Sequence, residues 1–199
     1  MIRVGITGNI GSGKSTVCKI FETLGIPVYY ADVEAKKVYT LFPKIKPEII
    51  QLLGENAYTQ NGEPNFENIK SQVFDDVHKL QKLNHILHPL VFQAFDDWCK
   101  LQSQKITPPP YVVKEAAILF ESGANRTVDK TILVSAPESL KILRASQRDG
   151  ASEEETLARL KNQYSEEKLK KLVDFVVINN GSEPLTPQVL ALHRQLCEN

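Results

Sequence analysis

The stretch Ile2-Arg3-Val4-Gly5-Ile6-Thr7-Gly8-Asn9-Ile10-Gly11-Ser12-Gly13-Lys14-Ser15-Thr16 decides how the chain is read. Its first six residues form a largely β-branched run, the pattern of a strand buried on both faces and delivered into a tight loop. Gly8 to Ser15 then fit G-x-x-x-x-G-K-[ST] at every position. Glycines let the backbone fold into a nest of N–H groups that side chains would block, and a helix opening near Gly13 aims its positive end into the same nest. Lys14 supplies a point charge for the β- and γ-phosphates. The Ser15 hydroxyl is a small, hard oxygen of the kind Mg²⁺ takes. A chance match in a chain of ordinary composition is on the order of 1%, and the strand before and the helix after are the context the mechanism requires. Gly8, Gly11, Ser12, Gly13, Lys14, Ser15 and Thr16 are therefore the expected nucleotide-binding set, with Ser15 as the metal ligand.

Beyond the loop, Val17, Ile20, Phe21 and Leu24 recur at helical spacing, and Gly25 stands where a C-terminal cap belongs. Pro27 to Ala31 reads as a second strand. Strand, helix and strand within about 30 residues make the βαβ unit of a parallel sheet, so the fold class is α/β. Tyr111-Val112-Val113, Thr131 to Val134 and Phe175 to Ile178 supply three further strands, and a terminal helix starts near Pro187.

Residues 33 to 101 carry helical patterning with little strand signal, which predicts a helical insertion. One apolar stripe runs through Val73, Val77, Leu80, Leu83 and Leu87, and another through Leu90, Val91, Ala94, Phe95 and Trp98. Pro89 falls between them, so the pattern is broken at His88, read as a helix cap, and restarted at Pro89. Ser139 to Arg148 and Glu153 to Gln163 read as two charged helices separated by Asp149-Gly150.

The 199 residues are 42% hydrophobic and balance 24 Lys and Arg against 24 Asp and Glu. Such a chain buries about 70% of the surface its unfolded form exposes, enough for one core and a smaller appendage. Zero net charge excludes attachment to nucleic acid or an acidic membrane by bulk electrostatics, so any anion is met locally. Cys18, Cys99 and Cys197 are far apart and have no metal-ligand spacing, which predicts a reducing compartment. With no signal peptide or membrane span in the pattern, the expected location is the cytoplasm.

A phosphate loop serves many chemistries, so other features must choose among them. No Asn-Lys-x-Asp is present to read guanine. A helical insertion and a charged helical pair joined to a minimal sheet suit a kinase that grips two substrates and closes over them. Asp32, at the end of the second strand, is placed to accept the proton of an attacking hydroxyl or to hold the metal ion, and an N-cap for the following helix is the alternative. Arg144 and Arg148 share one helical face, and Arg159 with Gln163 repeats the spacing on the next helix. Such guanidiniums neutralise charge on a transferring phosphate, although solvated helices look the same.

Taken together, Thr7 to Thr16, Tyr30-Ala31-Asp32, His88-Pro89-Leu90, Ile118 to Glu121, Gln147 to Gly150, Arg159 with Gln163, and Asn179-Asn180-Gly181 resemble the dephospho-CoA kinase family in identity, order and spacing. The resemblance implies a P-loop kinase-like three-layer fold with a five-stranded parallel sheet, a helical substrate-binding insertion and a helical lid. It implies a core of residues 1–32 and 107–199, a lid at about 144–165 and a CoA-substrate insertion at 33–106. The implied activity is ATP-dependent, Mg²⁺-assisted phosphorylation of the ribose 3′-hydroxyl of dephospho-CoA, the last step to coenzyme A. Lys14, Asp32 and Arg148 are then the catalytic set, Arg144 joins the nucleotide site, and Asp32, His88 and Arg159 face the acceptor. Another nucleoside or small-molecule kinase is the alternative of the same class, and a non-catalytic nucleotide-sensing module the alternative of a different one. Two segments depart from the family: Ala117-Ile118 stand in place of the usual proline and leucine before Leu119-Phe120-Glu121, and Asn9 stands where glycine is frequent. Asparagine tolerates left-handed backbone geometry, which makes that second departure compatible with the loop.

Overall fold

A computed structural model describes residues 1–74 and 76–198; Asp75 of the insertion and Asn199 at the end of the core lie outside them. The five strands are β1 (Ile2–Thr7), β2 (Val28–Tyr30), β3 (Tyr111–Glu115), β4 (Lys130–Ser135) and β5 (Phe175–Ile178). They form one sheet in the order β2-β3-β1-β4-β5, and every pairing is parallel. The β-branched run that opens the chain becomes the central strand, because only there is a strand covered on both faces and both edges.

Helix α1 (Lys14–Thr23) follows β1 and packs on one face of the sheet together with the terminal helix α9 (Leu185–Cys197). Val17, Cys18 and Phe21 of α1 meet Val4 and Ile6 of β1, Tyr111 and Val113 of β3, and Val189, Leu192 and Leu196 of α9. Phe21 stands edge-on to Tyr111 with ring centroids 6.1 Å apart, the arrangement that aligns a ring edge with a ring face. On the opposite face, Leu119 lies directly over Gly5, where a β-carbon would collide with it. The first helix ends as its sequence predicts, with the Ile26 N–H donating to the Phe21 carbonyl at 3.1 Å just past Gly25.

Two compact units result: Met1–Tyr30 with Trp98–Asn199, and Ala31–Asp97. The second is helical, with α2 (Ala31–Leu41), α3 (Lys46–Leu53), α4 (Phe66–Phe74) and most of α5 (Val77–Ser103). Its own core gathers Val38, Tyr39, Ile45, Ile49, Leu53, Ala57, Tyr58, Ile69 and Leu83. The expected break at His88 does not occur, and α5 runs through Pro89 without interruption. An interior proline costs about 3 kcal/mol. Leu83, Ile86 and Leu87 before it, and Leu90, Val91 and Ala94 after it, all pack on this core, and their burial outweighs the lost hydrogen bond.

After β4 come α6 (Glu138–Asp149), α7 (Glu153–Lys161) and the short α8 (Glu166–Lys170). Gly150 closes α6 in the left-handed conformation, and Ser152 with Glu155 forms a capping box that opens α7. Helix α7 stops at Lys161, so Gln163 lies beyond its end and not on its face as the spacing suggested. No helix among the described residues is long and apolar enough to cross a membrane.

Phe21 has no exposed surface and touches both the sheet and α9. Phe21→Ala is expected to destabilise the sheet-containing unit by about 3–5 kcal/mol, read as a lowered urea midpoint with an unchanged slope.

Candidate active site

The loop between β1 and α1 is built by its glycines. Gly8, Gly11 and Gly13 have φ of 150°, 75° and 94°, and no other described residue type adopts positive φ. Gly11 lies so close to the Lys141 carbonyl, and Gly13 to the Asn179 side-chain amide, that a β-carbon at either place would collide. Gly13 is also the N-cap of α1 and offers no side-chain cap, leaving the first N–H groups of that helix to an outside acceptor. Beside them, the buried hydroxyls of Thr7 and Ser12 have no hydrogen-bond partner in the protein. Ser15 and Thr16 are exposed in the first turn of α1.

Lys14 is 8% exposed and folds back over the loop. Its Nζ donates to the Gly8 carbonyl at 2.8 Å and to the Asn9 carbonyl at 3.3 Å, and lies 3.9 Å from Glu115 Oε1. Glu115 is a site residue the sequence reading passed over. The third strand was ended at Val113, but its pairing with β1 and β2 carries the ladder through Lys114 and Glu115, both buried. The available signal was a carboxylate closing an apolar strand beside the loop strand, where ligands gather in open α/β sheets.

The arginines divide into two groups. Arg144 donates to the Asn179 carbonyl at 3.2 Å and to its Oδ1 at 3.4 Å, and Asn179 in turn donates to the Ser12 carbonyl at 2.7 Å. Arg144 is thus joined to the phosphate loop through one intermediary. Arg148 and Arg159 instead share Asp149, at 2.7 Å from Arg148 Nε and 3.0 Å from Arg159 Nη1. The Asp149 hydrogen bond, opposed by burial and aided by the charges of Asp149 and Glu115, holds Arg148 above its usual range.

A second buried cation braces the loop from α6. Lys141, 5% exposed, pairs with Glu166 at 3.0 Å and donates to Asn9 Oδ1 at 3.3 Å. Burial pushes the Glu166 carboxyl up, but hydrogen bonds from Ser135, Lys170 and Lys141 outweigh it and bring the group to about 2. The loop does not call on the left-handed geometry that asparagine tolerates: Asn9 has no positive φ, and those conformations fall to Gly8 and Gly11.

Within the helical unit, Asp32 is the second residue of α2 and is exposed. The helix begins at Ala31 directly after β2, so Asp32 lies inside its first turn and is not the N-cap that the alternative reading gave it. His88 is half-buried in the middle of α5, stacked on Phe92 with centroids 6.0 Å apart. Burial holds its imidazole below the ordinary value. It caps no helix, since α5 continues past it.

A five-stranded parallel sheet with a glycine loop after its central strand and a lysine turned into that loop defines a P-loop nucleotide-binding protein. The sequence model described as dephospho-CoA kinase (CoaE) matches residues 2–184. A dephospho-CoA kinase from Bacteroides fragilis is 39% identical over 191 residues, 96% of this chain and 91% of that one. Among solved structures, a Thermus thermophilus protein is 34% identical with a TM-score of 0.80, covering 99% of this chain and 97% of its own. Dephospho-CoA kinase from Campylobacter jejuni, 23% identical, shares the fold with a TM-score of 0.73, covering 98% of this chain and 97% of its own. The chain belongs to the dephospho-CoA kinase family.

Because the Glu166 carboxyl lies below its ordinary 4.5 in the folded state, its contribution to stability is complete above that pH and is lost as pH falls toward about 2. Thermal midpoints are expected to drop across this window in the wild type. In Glu166→Gln the midpoint is expected to be lower at neutral pH and to change less through the same window.

Proposed function

We propose that this kinase transfers the γ-phosphoryl group of ATP to the ribose 3′-hydroxyl of dephospho-CoA, forming coenzyme A and ADP in the cytoplasm. One observation carries the reading: a glycine-built loop presents uncapped N–H groups at the start of α1 with Lys14 folded over it. The ammonium rests on the carbonyls of Gly8 and Asn9. Those are weak acceptors beside a phosphate oxygen, so a bound triphosphate draws Lys14 onto itself. The N–H groups and Lys14 then stabilise charge that is largest in the transition state, and catalysis is positioning plus electrostatics.

The donors around the loop suit Mg²⁺. Ser15 and Glu115 offer hard oxygens, and the partnerless hydroxyls of Thr7 and Ser12 mark a polar pocket that the protein leaves unsatisfied. Ser15 and Glu115 would hold the ion, which when bound would neutralise charge on the β- and γ-phosphates.

Asp32, exposed two residues past the end of β2, takes the proton from the acceptor hydroxyl. Arg148 and Arg159 lie on the paired helices α6 and α7, which act as the lid; Arg148 turns to the transferring group and Arg159 to the acceptor. Arg144 contacts the nucleotide from beside Asn179. Lys141 and Glu166 take no part in transfer and keep the loop pressed on α6. His88, carried on the helical unit, faces the acceptor. Cys18 and Cys99 are buried among apolar residues, which fits a reducing cytoplasm.

A coupled ADP-release assay tests the reading. Dephospho-CoA is expected to support turnover, whereas AMP, adenosine and shikimate are not; release with one of those alone would replace the acceptor. Lys14→Ala is expected to abolish turnover and weaken ATP binding. Asp32→Asn is expected to keep ATP affinity and lower kcat by at least about 100-fold, and near-normal turnover would remove Asp32 from proton transfer. Arg148→Ala is expected to lower kcat more than it raises the KM of the acceptor.

A further inference from the structure

The choice of asparagine at position 9 is explained by its side chain and not by its backbone. Asn9 has no positive φ, is 4% exposed, and uses both ends of its amide. Its Nδ2 donates to the Tyr164 carbonyl at 3.0 Å while its Oδ1 accepts from Lys141. The next residue repeats the connection from the other side, with the Ile10 N–H donating to Gln163 Oε1 at 2.9 Å. Two neighbouring residues of the loop are therefore bonded to two neighbouring residues that follow α7.

Those two partners are themselves fixed to the turn after β3. Gln163 Nε2 donates to the Ala117 carbonyl at 3.4 Å, and the Tyr164 N–H donates to Glu121 Oε1 at 2.7 Å. The helical pair α6–α7 thus returns to the sheet at a point held by the phosphate loop on one side and by residues 117–121 on the other. A glycine at position 9 would leave the buried Lys141 short of one acceptor and the Tyr164 carbonyl short of its donor.

We propose that Asn9 and Gln163 form a clasp between the phosphate loop and the C-terminal end of the lid, and that occupancy of the loop reaches α7 through it. Both are positioning residues: neither transfers a proton nor binds the reacting phosphate. A nucleotide that reshapes the loop backbone shifts the Ile10 N–H and the Asn9 amide together, and with them residues 163 and 164. The inference rests on the reading of the loop as the ATP site and of α6 and α7 as the lid.

Hydrogen exchange of the α7 amides, with and without MgATP, tests it in the whole protein. In the wild type MgATP is expected to slow exchange in α7. Asn9→Ala and Gln163→Ala, each of which removes two side-chain hydrogen bonds, are expected to speed ligand-free exchange in α7 by about tenfold and to abolish the response to MgATP. Gln163→Glu keeps the acceptor for Ile10 and is expected to restore the response, whereas Asn9→Asp lacks the donor to Tyr164 and is not. The double variant Asn9→Ala/Gln163→Ala is expected to behave like either single variant. Equal MgATP protection of α7 in wild type and both alanine variants would overturn the clasp and leave the ATP site standing. A wild type whose α7 ignores MgATP, with no ATP-dependent ADP release, would remove the ATP site and the clasp with it. Faster exchange spread evenly through the sheet in the alanine variants would also overturn it, by showing a general loss of stability.

Discussion

The loop between β1 and α1 is folded against its surroundings without room for a β-carbon at Gly11 or Gly13, and the rest of the nucleotide-binding unit is arranged around that closeness. At Gly11 the neighbour is the backbone of α6; at Gly13 it is the side chain of Asn179 beyond β5. The loop is therefore gripped from two sides by elements far away in sequence. Only a central strand can deliver it to such a position, and β1 is central because its apolar run is covered by β3 and β4 at its edges and by α1 and α9 on one face.

Two buried lysines serve this arrangement in different ways. Lys14 faces the loop carbonyls and Glu115, contacts that a phosphate can replace. Lys141 is committed to Glu166 and to the Asn9 side chain, contacts made within the protein. Buried ion pairs contribute little net stability when compared with apolar packing. Their value here is geometric: one ammonium is held ready for exchange and the other keeps α6 against the loop. Arg148 and Arg159 repeat the principle at the surface, where Asp149 keeps two guanidiniums together.

Much of this was legible in the amino-acid order. The β1-loop-α1 segment carried its strand, its turn and its chemistry in consecutive residues, and the fifth strand was bounded as found because Asn179-Asn180-Gly181 closes it. What escaped the reading depended on partners distant in sequence. Glu115 looks like the polar end of a strand until the pairing of β3 with β1 shows it beside Lys14. Pro89 looks like a boundary until the packing on both sides of it is known. Asn9 reads only as a residue the loop backbone tolerates, and its bonds to residues 141 and 164 are invisible in a linear pattern. The arginines were found by spacing, but spacing does not show that Arg144 belongs with Asn179 and Arg148 with Asp149.

The central claim is that the phosphates of ATP are received within Gly11 to Thr16 by the N–H groups the loop does not already use, since Ser12 donates to the Asn9 carbonyl and Thr16 to the Gly13 carbonyl. Backbone amide resonances followed during titration with magnesium and a non-hydrolysable ATP analogue test it at the atoms concerned. The account predicts that the largest shifts fall on Gly11 to Thr16, with the Lys14 ammonium moving in the same titration. Saturable binding that leaves those amides unmoved while others shift would contradict it.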